Sequence, residues 1–396
     1  MERGYAAVRV TEKGERSVRA GHPWVYDNEV TDAAGAQDGE IVELMSAKGR
    51  WLGAGFYNSR SRIRVRIVTR NANDRPEGAF WARKLRWAVD YRRQVMGADF
   101  SDCRLIFGEA DGFPGLTVDR FENVLVTEVL SLGMERIKGA VYETLLAETG
   151  CDTLYERNDN ALRDKEGLPR FAGYWRGGGD GHVTIRENGL YFDVDYINGQ
   201  KTGYFLDQKY NRAAAARLAG GRRVLDCCTH TGAFALNCAA AGAERVTALD
   251  VSETALASAR HNAELNGLTD RLDFVCGDVF EYLTRALADR RQEHDYIILD
   301  PPAFTKSGTT VESAYRGYKD IHYRAMRLLP RGGYLATCSC SRFMTAELFR
   351  KMLLSAAADA GVQLRQIEER RQSPDHPILW GVPETEYLKF FLFQIV

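Results

Sequence analysis

From Arg223 to Val396 the chain alternates short apolar runs with stretches of helical spacing. R-V-L-D-C-C, R-V-T-A-L-D, L-D-F-V-C-G-D, Y-I-I-L-D-P-P and G-G-Y-L-A-T-C-S-C read as strands, and Y-L-K-F-F-L-F-Q-I-V as a last one. A-F-A-L-N-C-A-A-A and E-T-A-L-A-S-A-R-H-N-A-E-L-N supply helices between them. Parallel strands need crossovers long enough to hold a helix, so this pattern predicts an α/β doubly wound sheet. Seven strands with an order reversal place a ligand at the carboxyl ends of the first strands.

Acids stand at three successive strand ends: Asp226, Asp250 and Asp278. Asp250 lies 24 residues after Asp226, where a carboxylate can accept hydrogen bonds from both hydroxyls of a ribose. A dinucleotide site would also show G-x-G-x-x-G on the first turn, but C-C-T-H-T-G-A-F offers only Gly232. A ribose acid without a pyrophosphate loop points to S-adenosylmethionine, whose sulfonium needs no anion hole. Asp278 can meet the adenine amino group, with Val279 or Phe280 against the ring. Any one of these acids alone would read as a turn or helix cap; three in succession read as a site.

The fourth strand delivers D-P-P-A-F, Asp300 to Phe304, and the fifth ends in T-C-S-C-S. Enzymes that methylate exocyclic amines carry [DN]-P-P followed by an aromatic; here Ala303 takes that place and Phe304 comes one residue later. Cys338 and Cys340 share one face of an extended strand. Neither has the C-x-x-C spacing of a redox or zinc pair, and no metal site is expected. Cys340 is nearer the sheet's carboxyl end, where a thiolate could add to carbon 6 of cytosine and make carbon 5 nucleophilic. The base would have to leave its stack. On residue logic alone, packing stays open for both thiols.

The remaining chain divides by composition. Residues 1–72 read as short strands with glycine turns, and S-R-S-R-I-R-V-R-I-V puts Arg60, Arg62, Arg64 and Arg66 on one face. From Lys48 to Arg70 there are seven basic residues and no acid, although the whole chain has a net charge of −1. With Trp51, Phe56 and Tyr57 nearby, this favours RNA over a merely solvated face. Residues 73–186 carry a helix at F-W-A-R-K-L-R-W, a hairpin turning at Glu122-Asn123, a helix through Met134–Leu146 and a strand near Thr153–Glu156. R-G-G-G-D-G, residues 176–181, reads as a loop that follows no strand and opens no helix. No run reaches the ~20 apolar residues of a membrane span. M-E-R-G-Y-A-A-V-R-V lacks a signal peptide's apolar core, so a cytoplasmic protein is expected.

R-A-G-H-P-W-V-Y (19–26), D-G-F-P-G-L-T-V-D-R-F (111–121), K-T-G-Y-F-L-D-Q (201–208), V-L-D-C-C-T-H-T-G-A-F, I-I-L-D-P-P-A-F, C-S-C-S-R-F-M-T, D-H-P-I-L-W (375–380) and E-Y-L-K-F-F (386–391) occur in this order. Over essentially its whole length the chain resembles the bacterial large-subunit ribosomal RNA cytosine-5 methyltransferases. The resemblance implies an all-β PUA domain at 1–72, a small α+β central domain at 73–186, and a class I Rossmann-like methyltransferase domain at 187–396. It implies Cys340 as nucleophile and a cofactor held by Asp226, Asp250 and Asp278, with Cys228, Thr229, Gly232, Val251, Ser252, Val279 and Asp300 around it. Tyr204, Phe205, Leu206, Asp207 and Gln208 would cover the cofactor. Lys201 would act near the substrate, and Pro301 and Phe304 would meet the RNA. No second thiol follows Pro301 and Pro302, so Asp300 is the candidate for removing the carbon 5 proton. Large-subunit ribosomal RNA is the expected partner, without membrane or metal; a homodimer is compatible with the chain. The rival readings are a methyltransferase for exocyclic amines or guanine on the same fold, and a non-catalytic RNA-binding assembly factor.

Overall fold

The computed structural model describes residues 4–289, 292–305 and 307–396. Backbone contacts divide the chain into two units. The first comprises residues 1–185, 194–206 and 374–385; the second comprises residues 186–193, 207–373 and 386–396.

In the first unit, six strands form a sheet in the order Trp24–Tyr26, Ile63–Thr69, Trp51–Tyr57, Ile41–Ser46, Ala6–Val10, Val30–Asp32. The second half of the arginine alternation forms a strand, Ile63–Thr69, with Val65 and Ile67 in the core beside Val8, Val25, Val42 and Leu44, while Arg60 and Arg62 lie in the bend before it. Its neighbour W-L-G-A-G-F-Y is a strand that the pattern did not reveal, because glycine weakens strand propensity. The glycines have a cause here. The ladder shifts register at Ala54/Gly55, and a Cβ on Gly55 would lie 2.2 Å from Arg66 O. A helix, Glu12–Arg19, is added to this β-rich part and capped by Thr11.

The same unit holds a five-stranded sheet in the order Phe171–Arg176, Thr153–Asn158, Val124–Val129, Leu116–Phe121, Asp102–Phe107. The hairpin turns at Glu122-Asn123, where Glu122 takes φ 52°. Helices Gly78–Met96 and Leu132–Thr149 accompany the sheet. One expectation is corrected: the glycine-rich 176–181 segment does follow a strand, Phe171–Arg176, and leads into another, His182–Glu187. Tyr174 and Trp175 have strand propensity, but the glycines beyond them masked it.

The second unit is the predicted doubly wound sheet. Its strands are β1 (Arg223–Cys227), β2 (Arg245–Asp250), β3 (Leu272–Cys276), β4 (Tyr296–Leu299), β5 (Tyr334–Ser339), β6 (Leu364–Arg370) and β7 (Lys389–Ile395). They lie in the order β3-β2-β1-β4-β5-β7-β6. The first five pair parallel, and β7 enters antiparallel between β5 and β6. Crossover helices α1 (Ala233–Ala240), α2 (Glu253–Leu265), α3 (Val279–Ala288), α4 (Val311–Leu328) and α5 (Ala346–Ala360) connect strands β1 to β6. Strands β1 and β4 are all-apolar centres of this sheet apart from Arg223 and Asp226, as burial on both faces requires. The order reverses between β1 and β4, which puts the ends of β1, β2, β4 and β5 around one switch point.

Candidate active site

Asp226, one residue before the end of β1, is fully buried. Its Oδ2 accepts from Thr229 Oγ1 at 2.6 Å and from Ala235 N at 3.0 Å. Its buried Oδ1 has no partner. Burial, reinforced by the neighbouring Asp300 and Asp250 charges, pushes its pKa up to about 7. Asp226 thus shapes the β1–α1 turn and still presents one unmet acceptor. The turn itself runs through positive φ at Cys228 (64°), His230 (52°) and Gly232 (81°). A Cβ on Gly232 would come within 2.8 Å of Leu236 Cδ1 and 3.0 Å of Ala259 Cβ, so only glycine fits.

Asp250 closes β2 and binds the same turn: its Oδ2 accepts from His230 N at 2.8 Å and its Oδ1 from Ser252 N at 3.0 Å. Ser252 in turn caps α2. Val251 between them is 73 % exposed, an apolar side chain left bare beside Asp250. Asp278 caps α3 through Glu281 N at 3.0 Å, and Val279 beside it is buried in the core. An orphan buried acceptor, a turn that admits no Cβ, and an apolar platform next to an acid suit a nucleoside without phosphates such as S-adenosylmethionine.

Across the switch point, Asp300 follows β4. Gln208 Nε2 donates to Asp300 Oδ2 at 3.0 Å, and Asn211 Nδ2 donates to Gln208 Oε1 at 2.7 Å. Tyr387 OH donates to Asp207 Oδ2 at 2.5 Å. Burial and the Asp207 charge push Asp300 up to about 6, against the opposing pull of Arg212 and Gln208.

The T-C-S-C-S segment resolves into unequal halves. Cys338 is a fully buried strand residue whose thiol is pushed far up by burial and by Asp300. Cys340 lies just past the end of β5 and is only half-buried. The serines around it are pins. Ser339 Oγ donates to Tyr318 OH at 3.3 Å, and Ser341 Oγ donates to Thr305 O at 2.9 Å. Lys389, facing Ser339 in the β5–β7 ladder, donates its buried Nζ to Ser341 O at 2.6 Å and to Tyr387 O at 2.7 Å. Burial pulls that amine down to about 8, while the Cys340 charge pulls it back up. The sequence reading missed Lys389, Ser339 and Ser341. A lysine inside the apolar strand Y-L-K-F-F-L-F was the available signal, since a buried cation is retained only with partners.

Other expected site residues are placed differently. Pro301 is buried, and the Phe304 ring packs 4.5 Å from Tyr318 and 6.1 Å from Phe280. Both therefore have packing partners, with Phe304 left half-buried beside α4. In the first unit, Tyr204 and Leu206 are buried, and Lys201 is an exposed residue at φ 54° with Nζ 4.6 Å above the Phe205 ring. Arg66 is also corrected: it pairs with Glu109 at 3.1 Å and Glu166 at 3.0 Å and lies over Trp24, so its charge is internally neutralised. Arg64 donates to Asn58 O at 3.1 Å and to Ser59 O. Arg60 and Arg62 remain exposed. Among the described residues, no group of three or more His, Cys, Asp or Glu could hold a metal, and no helix is long and apolar enough to cross a membrane.

Comparison with known proteins matches residues 8–70 to a PUA-like domain and residues 144–394 to S-adenosylmethionine-dependent methyltransferases. Ribosomal RNA large subunit methyltransferase I of Klebsiella pneumoniae (strain 342) is 40% identical over 98% of both chains. The protein of the same name from Citrobacter koseri is 40% identical over 98% of this chain and 99% of its own. Two solved structures share the fold. A Streptococcus mutans protein assigned as a SAM-dependent methyltransferase has TM-score 0.84 at 20% identity, over 98% of this chain and 100% of that one. SMU.776, assigned as a methyltransferase and solved with SAH, has TM-score 0.85 at 20% identity over the same shares.

Proposed function

The chain belongs to the S-adenosylmethionine-dependent methyltransferases, and from that premise we propose that it forms 5-methylcytosine in large-subunit ribosomal RNA through a covalent Cys340 adduct. The observation that supports the chemistry is a half-buried thiol just past the end of β5, beside a serine pinned to Thr305 and within reach of the buried Lys389 amine's charge. The ribosomal RNA substrate follows the full-length relatives.

When bound, S-adenosylmethionine supplies an electrophilic methyl group. Asp250 and Asp226 would hold its ribose and amino ends, with Val251 against its base. The Cys340 thiolate adds to carbon 6 of the flipped cytosine, and the electron pair displaced onto carbon 5 takes up the methyl group. Asp300, raised to about 6 and so largely ionised at neutral pH, accepts the carbon 5 proton. The thiolate then leaves and the ring regains its double bond. Lys389 supplies positive charge beside the thiolate before addition and after release. Gln208 holds Asp300 in place.

The amine reading finds less support: Ala303 stands where the stacking aromatic belongs, and Phe304 is spent on Tyr318. The test is incubation of the protein and its Cys340→Ala form with labelled cofactor and ribosomal RNA, followed by identification of the methylated nucleoside. We expect 5-methylcytosine from the first and none from the second, together with a denaturant-stable adduct to 5-azacytosine RNA from the unmodified protein alone. A labelled guanine or exocyclic amine would overturn the proposal.

A further inference from the structure

The most exposed large apolar side chain among the described residues of the first unit stands on a rigid support. Leu379 to Val382 form a tight turn, with Val382 N donating to Leu379 O at 2.8 Å. Thr385 Oγ1 locks it, accepting from Leu379 N at 2.9 Å and donating to Val382 O at 2.7 Å. At the tip, Trp380 is 96 % exposed. Both flanks are anchored. Asp375 is fully buried and accepts from Arg104 N at 2.8 Å, the His376 ring packs 5.4 Å from Phe107, and Glu384 pairs with His22 at 3.4 Å. Gly381 packs so closely that a Cβ there would meet Gly21 backbone at 3.3 Å. The backbone that carries the indole is therefore fixed by its surroundings, and the ring itself projects into solvent.

What would dock there is set by its neighbours. Arg70 grips the backbone on which the turn rests, its Nη2 donating to Gly21 O and His22 O at 2.9 Å each. Its remaining guanidinium donors sit on an exposed residue. Arg19, just before Gly21, is also exposed and has a 3.6 Å pairing with Glu15. A protein partner would call for a broad apolar patch, whereas the turn offers one flat indole with Leu379 beside it and two cations. An unpaired nucleotide has the matching chemistry: a π face for the indole and a phosphate for the guanidinium. A duplex does not, since its bases face one another.

We infer that Trp380 is a stacking platform for an unpaired base of the RNA substrate, with the adjoining phosphate on Arg70. This rests on the ribosomal RNA reading above. The test is fluorescence anisotropy of the full chain with a labelled single-stranded RNA oligonucleotide of mixed sequence, and with the same sequence as a duplex. Trp380→Ala should weaken single-strand binding about 5- to 150-fold, the range of one base–aromatic stack. Trp380→Phe should retain most of the affinity, and duplex binding should not change. Arg70→Gln should lower the slope of log affinity against log salt by about 1. Affinity for S-adenosylhomocysteine, measured on the same variants, reports whether they are folded.

Unchanged single-strand affinity in a folded Trp380→Ala protein would overturn the inference. So would sedimentation showing that the substitution converts a dimer to a monomer, which would make a second copy the occupant. The two proposals fail separately. Ribosomal RNA methylated by a protein whose RNA affinity ignores Trp380 would remove the platform alone. Trp380-dependent oligonucleotide binding by a protein that methylates no ribosomal RNA would remove the substrate reading alone.

Discussion

Two cysteines two residues apart meet opposite fates because β5 ends between them. Cys338 is still in the ladder opposite Phe390 and is sealed from water; Cys340 has left it and is pinned by its serine neighbours. Cys338→Ala should therefore cost about 1 kcal/mol of stability and leave RNA adduct formation intact, whereas Cys340→Ala should abolish the adduct at little cost in melting temperature. Lys389→Met should raise the pH at which Cys340 reacts with iodoacetamide, followed by peptide mapping, since the thiolate loses its nearby cation. Asp300 carries a stability cost that its chemistry explains. Its pKa is raised to about 6, so between the ordinary carboxylate range and pH 6 the folded state holds a proton that the unfolded chain has released. Stability is then lost as pH rises through that window, and it is not regained above it. Asp300→Asn keeps an acceptor for Gln208 without the charge. It should melt higher than the unmodified protein at pH 7 and fail to methylate. The unmodified enzyme's rate should climb through about pH 6 as the carboxylate forms. An unchanged rate in Asp300→Asn would take the proton acceptor elsewhere.

At the scale of elements, the reversal point of the sheet converts strand ends into a site, and the β1–α1 turn is its tightest part. Gly232→Ala would need φ 81° and would press Cβ into Leu236 and Ala259. We expect a loss of about 1–3 kcal/mol in thermal unfolding and a weaker S-adenosylhomocysteine titration, because His230 N and Asp250 would be displaced together. The sheet was legible because its parallel strands are short apolar runs, four of them with an acid at or near the carboxyl end, a signal local to five or six residues. The Trp51–Tyr57 strand was hidden because its glycines answer to the neighbouring strand, Gly53 to Thr69 backbone and Gly55 to Arg66 backbone. Lys389 was hidden for a related reason: its partners, Ser341 O and Tyr387 O, come from two segments that only the β5–β7 pairing brings together. The same holds for Phe304, whose place is decided by Tyr318 across the α4 packing. Local pattern thus revealed the frame and the acids, while the groups that tune the thiol are long-range.

For the whole molecule, a net charge of −1 has to coexist with a polyanionic substrate, so the usable positive charge must be local and unpaired. The arginine strand shows how that selection is made. Arg66 is held between Glu109 and Glu166, and Glu166 also accepts from Asn58 Nδ2 at 3.0 Å and from Ser61. Arg64 ties down residues 58–59 of its own chain, which leaves Arg60 and Arg62 exposed toward solvent. These roles separate in measurement. Replacing Arg60 and Arg62 by Gln should leave the melting temperature within a degree or two and weaken binding to ribosomal RNA fragments. Each lost phosphate contact should reduce the slope of log affinity against log salt by about 0.7–0.9. Arg66→Gln should do the reverse, costing about 3 kcal/mol through two carboxylates left short of a cation, with the salt slope unchanged at temperatures where the variant is folded. If the Arg60/Arg62 double variant keeps its full slope, the exposed arginines are a solvated face, and the phosphate contacts must come from cations elsewhere in the chain.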